Sequence, residues 1–273
     1  MTRSVRRTRR LLQLAGAGAA ALMALSACSS SSDAKDTTSD SSNSASPKLS
    51  DNITVFAAAS LRESFTTLGK EFEKQHPGTK VSFNFGGSDT LAASITGGAP
   101  ADVFAAASPK TMAIVTDKKD AVGTPATFVR NQLEIATLPG NPDKVSSLKD
   151  LTKSGLKVVL CDKTVPCGAA AQKALDAGKL TLTPVSYEQD VKAALNKVEL
   201  KEADAAVVYK TDVKSAAGKV EGVEFPESAD AINDYPIVLL KNAPNAQAAK
   251  AFIALVQSAE GQKVLGEAGF LKP

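Results

Sequence analysis

From about residue 51 onward, short runs of β-branched, aromatic and small apolar residues alternate with longer stretches in which apolar positions recur every three or four residues. The short runs predict strands at Ile53–Ala59, Lys80–Phe85, Asp102–Ala106, Gln132–Leu138, Lys157–Cys161, Ala205–Tyr209 and Tyr235–Leu240. Between them, Leu61, Phe65, Leu68 and Phe72 share one helical face, as do Val191, Ala194, Leu195 and Val198. From Asn245 to about Gly269 the spacing predicts two helices, with Ala249, Phe252, Ile253 and Val256 on one face. Strand-then-helix alternation implies an α/β fold with mostly parallel sheets, and no internal repeat is visible.

Upstream the pattern is different. Arg3, Arg6, Arg7, Arg9 and Arg10 precede an apolar, Ala-rich run from Leu11 to Ala27. That run is too short and too weakly apolar for a comfortable membrane span, so residues 1–27 read as a secretory signal peptide. Leu25-Ser26-Ala27-Cys28 resembles the lipobox of bacterial lipoproteins, which implies an acylated Cys28 as the new N-terminus. Thr8-Arg9-Arg10-Leu11-Leu12 also loosely resembles a twin-arginine signal, so two export routes stay open. Residues 29 to about 50 are dominated by Ser with Asp, Thr and Asn, a composition that cannot offset ordering entropy, and residues 28–50 therefore read as a lipidated flexible tether. A tether of roughly 22 residues reaches on the order of 25 Å. The expected location is the extracytoplasmic face of the cell membrane.

Charge and cysteine content follow from this division. The full chain of 273 residues has a formal charge of +3, but removing the five leader arginines takes the mature chain to −2. One His and three Cys leave little room for zinc sites or histidine-centred catalysis, which need several such groups converging. With Cys28 assigned to the anchor, Cys161 and Cys167 remain, and outside the cytoplasm a disulfide between them is the expectation.

Four helix starts carry the candidate chemistry. Ala57-Ala58-Ala59-Ser60 leads into Leu61, Gly86-Gly87-Ser88-Asp89 into Thr90–Ile95, Val165-Pro166-Cys167-Gly168 into Ala169–Leu175, and Gln189-Asp190 into Val191–Val198. In open α/β sheets such turns tend to lie at the carboxyl ends of strands, where ligands bind. A helix N-terminus offers free N–H groups and partial positive charge, so several converging would bind an anion without Lys or Arg. Bland readings compete: Ser60 followed by Glu63 is a capping-box pattern, the glycines could serve a plain loop, and Tyr209 could be a packing residue.

Val55-Phe56-Ala57-Ala58-Ala59-Ser60-Leu61, Phe85-Gly86-Gly87-Ser88-Asp89-Thr90-Leu91-Ala92, Gly98-Ala99-Pro100-Ala101-Asp102-Val103-Phe104 and Asp204-Ala205-Ala206-Val207-Val208-Tyr209-Lys210-Thr211-Asp212 occur in this order. Together they resemble the periplasmic molybdate-binding proteins of ABC importers, over essentially Asn52 to Pro273. The resemblance implies a two-lobed type II periplasmic-binding-protein fold, with lobe 1 at 51–129 plus 236–273, lobe 2 at 130–235, and a ligand cleft between them. It implies a monomer that binds molybdate or tungstate and delivers it to a membrane permease and its ATPase, with no cofactor and no nucleic acid. Carried over position by position, Ser60 and Ser88 would supply hydroxyl and backbone donors. Cys167 and Val191 would supply backbone N–H groups, and Tyr209 its hydroxyl. Any molybdenum or tungsten would be present only within the bound oxyanion. Two departures stand out: a Cys at 167 where relatives carry a small Ala, and Asp89 beside the site, expected to point away.

Two other readings can be weighed. Ser146-Ser147-Leu148-Lys149 and Ser154-Gly155-Leu156-Lys157 match the Ser-x-x-Lys spacing of penicillin-recognising enzymes, but the accompanying Ser-Asp-Asn and Lys-Thr-Gly elements are absent. His76, between Gln75 and Pro77-Gly78, looks like a surface residue at a helix end. A serine hydrolase is therefore disfavoured. A solute-binding protein for sulfate or phosphate remains the alternative within the binding class.

Overall fold

The computed structural model describes residues 52–273. The leader at 1–27, Cys28 and the whole Ser-rich segment to residue 50 lie outside the described residues, as does Asp51.

The first sheet is built from β1 (Ile53–Ala58), β2 (Val81–Gly86), β3 (Val103–Ala105), β4 (Ala121–Asn131) and β10 (Asn233–Leu240), in the order β2-β1-β3-β10-β4. The second contains β5 (Leu133–Thr137), β6 (Val158–Cys161), β7 (Ser186–Glu188), β8 (Ala205–Tyr209) and β9 (Glu221–Val223), in the order β7-β6-β8-β5-β9. Helices α1 (Arg62–Gln75), α2 (Ser88–Thr96), α3 (Pro109–Asp117), α7 (Ala246–Gln257) and α8 (Ala259–Ala268) go with the first sheet. Helices α4 (Pro166–Ala177), α5 (Val191–Glu199) and α6 (Lys210–Ser215) go with the second.

Strand periodicity explains how the first sheet is covered on both faces. Ile53, Val55 and Ala57 pack with Phe65, Leu68, Phe72 and Phe252, whereas Phe56, between them, packs with Leu91, Ile95, Phe104 and Met112 on the other face. The aromatic cluster on the first face is tight: the Phe65 and Phe72 rings meet Phe252 edge-on at 5.9 and 5.6 Å. Each such fully buried side chain contributes on the order of 1.5–3 kcal/mol relative to exposure. In the second lobe, β8 is buried along its whole length beneath α4 and α5.

The α/β class holds, with one change in detail. Both sheets are mixed: β1 runs parallel to β2 and β3 and β6 parallel to β7 and β8, while β10 is antiparallel to β3 and β4 and β5 is antiparallel to β8 and β9. The antiparallel strands are those on either side of the points where the chain changes sheets. It leaves the first sheet at Asn131, enters the second at Leu133, and returns at Asn233, which pairs with Asn131. Tyr235 lies opposite Val129 and so belongs to the first sheet. Strands β4, β7 and β9 have no clear signal in the residue pattern: β4 carries Gly123 and Pro125, tolerated because it is an edge strand whose pairing with β10 is interrupted by register shifts.

The disulfide between Cys161 and Cys167 is formed, closing a loop from the end of β6 to the start of α4. Among the described residues, no helix is long and apolar enough to cross a membrane.

Candidate functional site

The four helix starts meet. Ser60, Ser88, Cys167, Val191 and Tyr209 all line one cavity between the two lobes, with about 20 Å³ open to the centre of a water-sized sphere. That is below the roughly 300–1,000 Å³ of a cleft for a drug-sized ligand, so the space suits a small compact solute.

On the first-lobe side, β1 ends at Ala58 and the chain turns through a short 3₁₀ segment, Ala59–Leu61, with no side-chain cap. Its leading amides are thus left without intrahelical acceptors. Ser60 sits inside this turn, and its hydroxyl meets the Tyr235 hydroxyl at 2.9 Å instead of capping a helix. The capping-box alternative for Ser60 and Glu63 therefore does not describe this segment. Helix α2 starts at Ser88 after Gly87, again uncapped by any side chain. Ser88 Oγ accepts the Ala107 N–H at 3.0 Å, which leaves its own proton free for the cavity. Asp89 does not line the cavity, although its Oδ1 is buried without a hydrogen-bond partner.

On the second-lobe side, α4 starts with Pro166, which has no N–H to leave unsatisfied, so Cys167 and Gly168 present the first free amides. Asp190 caps α5: its Oδ1 accepts from Lys192 N–H at 2.8 Å and Ala193 N–H at 3.0 Å. The cap takes up two of the orphan amides and leaves that of Val191 for the cavity. Tyr209 ends β8, fully buried, and its hydroxyl oxygen accepts from Asn233 Nδ2 at 2.7 Å. Burial, reinforced by the neighbouring Tyr235, pushes the Tyr209 phenol well above its ordinary value, so the group stays protonated and acts as a donor.

The lining contains no Lys, Arg or His. Its one acid is Asp190, whose carboxylate already holds two amides. What remains is a set of neutral donors together with the positive ends of three helices, an arrangement that favours an anion presenting acceptors on all sides.

A supporting layer carries residues that the spacing of motifs did not single out. Asn131 Nδ2 donates to Thr211 Oγ1 at 2.8 Å and reaches the Tyr235 hydroxyl at 3.4 Å. With its oxygen accepting from Asn131, Tyr235 can give its proton to Ser60, which then turns its own toward the cavity. Asn233 Nδ2 also reaches the Pro166 carbonyl at 3.3 Å, so one amide from β10 touches two second-lobe elements of the site. Asn131, Asn233 and Tyr235 stand where the chain changes sheets, close to the crossings near Asn131 and Tyr235 that the family resemblance implies, but their hydrogen bonds to the site residues are read only from the fold.

The lobes touch around the cavity. A Cβ on Gly87 would fall 2.6 Å from the Gln189 carbonyl oxygen of the other lobe. Ala59 of the first lobe packs into the second lobe's core cluster.

Comparison with known proteins agrees with this geometry. The family model for bacterial extracellular solute-binding proteins matches residues 53–271. The molybdate-binding protein ModA of Mycobacterium tuberculosis is 42% identical over 222 residues, spanning 81% of this chain and 85% of the relative. The chain belongs to the molybdate-binding branch of the bacterial extracellular solute-binding proteins. A solved substrate-binding domain of a putative molybdenum ABC transporter from Clostridium difficile is 31% identical to this solute-binding protein, covers 82% of it and 100% of itself, and superposes with a TM-score of 0.61. The Azotobacter vinelandii periplasmic molybdate-binding protein shares the fold, with a TM-score of 0.71 at 22% identity over 81% of this chain and 99% of its own. Solute-binding proteins of this family act outside the cytoplasm, where a disulfide such as Cys161–Cys167 persists. The residues considered for hydrolase chemistry, His76, Ser146, Ser147 and Ser154, do not line the cavity. Ser147 caps a 3₁₀ turn and His76 closes α1 against Phe72.

Proposed function

We propose that this solute-binding protein holds a tetrahedral oxyanion, molybdate or tungstate, through Ser60, Ser88, Cys167, Val191 and Tyr209. It works without a cofactor or catalytic step and passes the anion to an ABC permease driven by its ATPase. In the same reading the chain is a monomeric lipoprotein, tethered to the outer face of the cell membrane through Cys28.

The observation that carries this is a lining of neutral donors with no cation and a single acid, Asp190, engaged with two amides: each hydroxyl in the cavity has a neighbour on its oxygen or is held protonated, and each helix start is uncapped at the amide that faces inward. A dianion inside such a cavity is neutralised by charge-assisted hydrogen bonds, worth roughly 1.5–3 kcal/mol each. The same lining discriminates. A protonated oxyanion such as hydrogen phosphate brings an O–H for which Asp190 is the one carboxylate in the lining, and its Oδ1 already holds two amides. An O–H turned to any other side meets donors and stays unpaired, at a cost of about 1–3 kcal/mol. Sulfate is fully ionised and must be rejected by size.

Thermal unfolding of the purified protein with molybdate, tungstate, sulfate, phosphate and vanadate tests the reading. An anion at about 100 times its Kd stabilises by about 2.7 kcal/mol, roughly 5–10 °C for a domain of this size. Molybdate and tungstate are expected to produce that shift. No shift with either at millimolar concentration, alongside a shift with sulfate or phosphate, would assign the site to another oxyanion.

A further inference from the structure

One side chain ties the two lobes together beside the cavity. Lys192 follows Val191 at the start of α5, and its backbone N–H is held by Asp190. Its ammonium lies 3.1 Å from Asp212 Oδ1, an ion pair without a directed hydrogen bond, and donates to Ser215 Oγ at 2.8 Å. Asp212 is completely buried, and its other oxygen accepts the Tyr209 N–H at 3.2 Å. Lys192 thus touches the supports of two donors in the second lobe, Val191 and Tyr209. Its third arm crosses the cleft: Nζ is 3.0 Å from Glu63 Oε2 on α1 of the first lobe.

We propose that Lys192 is a positioning residue that couples closure of the lobes to assembly of the anion donors. The inference deepens the oxyanion reading and rests on it. The two contacts differ in kind. Asp212 needs a cation in every state, because a buried carboxylate without a partner is strongly destabilising. Glu63 is half-exposed, and its contact with Lys192 exists only while the lobes touch. Closure therefore gives the ammonium a second carboxylate, while the first holds it beside Val191 and Tyr209. Opening gives up the Glu63 contact alone, so the latch acts on how long the anion stays.

Glu63→Gln is the clean variant, since it leaves no buried charge without a partner. Stopped-flow kinetics with molybdate are expected to show dissociation about two- to five-fold faster, the range for an exposed ion pair, with association and the ligand-free Tm unchanged. Lys192→Arg keeps the charge and is expected to retain most of the slow release. Raising the ionic strength should speed release from the wild type and leave Glu63→Gln unaffected. Unchanged dissociation in Glu63→Gln overturns the proposal. If the wild type binds no oxyanion, the functional reading fails, and the latch is decided without ligand. Spin labels on the exposed positions Lys110→Cys in α3 and Lys173→Cys in α4 then report lobe separation. Glu63→Gln should shift the distances to longer values, and identical distributions overturn the latch.

Discussion

The two lobes reach the same cavity by different means. In the first, the donors follow from local chain geometry: a strand ends, a short uncapped turn follows, and Ser60 or Ser88 arrives with its amide unsatisfied. In the second, Cys167 is held by a covalent bridge and Tyr209 by a remote strand, and only Val191 follows from a local cap. The disulfide ties Cys167 to the end of β6, Asp190 sorts the amides of α5, and Asn233 reaches from β10 to orient Tyr209. A motif can therefore report the first half of the site almost completely, whereas the second half depends on packing across the points where the chain changes sheets.

A pair of glycines separates the roles most sharply. Gly168 lies within the second lobe, and a Cβ there would fall 1.9 Å from the Asp162 carbonyl oxygen, inside the loop closed by the disulfide. Gly87 meets the opposite lobe instead, through the Gln189 carbonyl. Gly168→Ala should therefore destabilise the ligand-free protein by about 1–3 kcal/mol or more through overpacking, read as a lower Tm. A Cβ on Gly87 also approaches Asp89 Oδ1 of its own lobe, at 2.8 Å, but that is a side-chain oxygen that can turn aside, whereas the Gln189 carbonyl is backbone. Gly87→Ala should therefore lower that Tm less than Gly168→Ala and weaken anion binding by about 100-fold, roughly 2.7 kcal/mol. Calorimetric titration beside thermal unfolding reads both, and a Gly87→Ala protein that binds normally would show that full closure is not required.

Next in size are single donors. Ser88→Ala and Tyr209→Phe each remove one charge-assisted hydrogen bond, so each should raise Kd by about 10- to 150-fold, from a loss of roughly 1.5–3 kcal/mol. Normal affinity in both would remove these residues from the site. Reducing the disulfide should act on stability first: closing a loop of about seven residues contributes about 2 kcal/mol by the chain-entropy argument. A few-fold weaker affinity should accompany it, since the same loop sets the Cys167 amide. Titration with and without reductant checks this, and unchanged affinity on full reduction would limit the bridge to folding.

The residue pattern carried most of the fold where burial is two-sided. Strands β1, β6 and β8 announce themselves as apolar runs, and α1 by Leu61, Phe65, Leu68 and Phe72. It missed β4 because Gly123 and Pro125 interrupt the alternation, and β7 and β9 because three residues at a sheet edge leave too little pattern. All five candidate donors line the cavity, yet Asn131, Asn233 and Tyr235 were invisible as supports. Each sits in or beside an ordinary strand, and its partners lie 24 to 175 positions away in the chain.

The smallest expected effect concerns Asp212, on the second-lobe side of the latch. Burial raises its carboxyl to about 6, opposed by Lys192 and by the Tyr209 amide and assisted by Glu63. An acid whose folded pKa lies above its unfolded value near 4 binds more protons in the native state between those values, so this group makes the fold less stable as pH rises. Most of the loss is complete by pH 7, and between pH 5 and 7 it amounts to roughly 1 kcal/mol, or 2–4 °C. Glu73, Asp162 and Glu224 act in the opposite sense: hydrogen bonds lower their carboxyls, so their stabilisation is present at neutral pH and disappears in acid. The whole-protein profile sums both, and the informative quantity is the difference from Asp212→Asn, measured as Tm at pH 5 and pH 7 in ligand-free protein. Replacing the titrating group should make that variant gain about 2–4 °C relative to the wild type on going from pH 5 to 7. Parallel profiles would mean that Lys192 holds Asp212 ionised throughout this range, which would make the second lobe's arm of the latch permanent and leave Glu63 as the part that responds to closure.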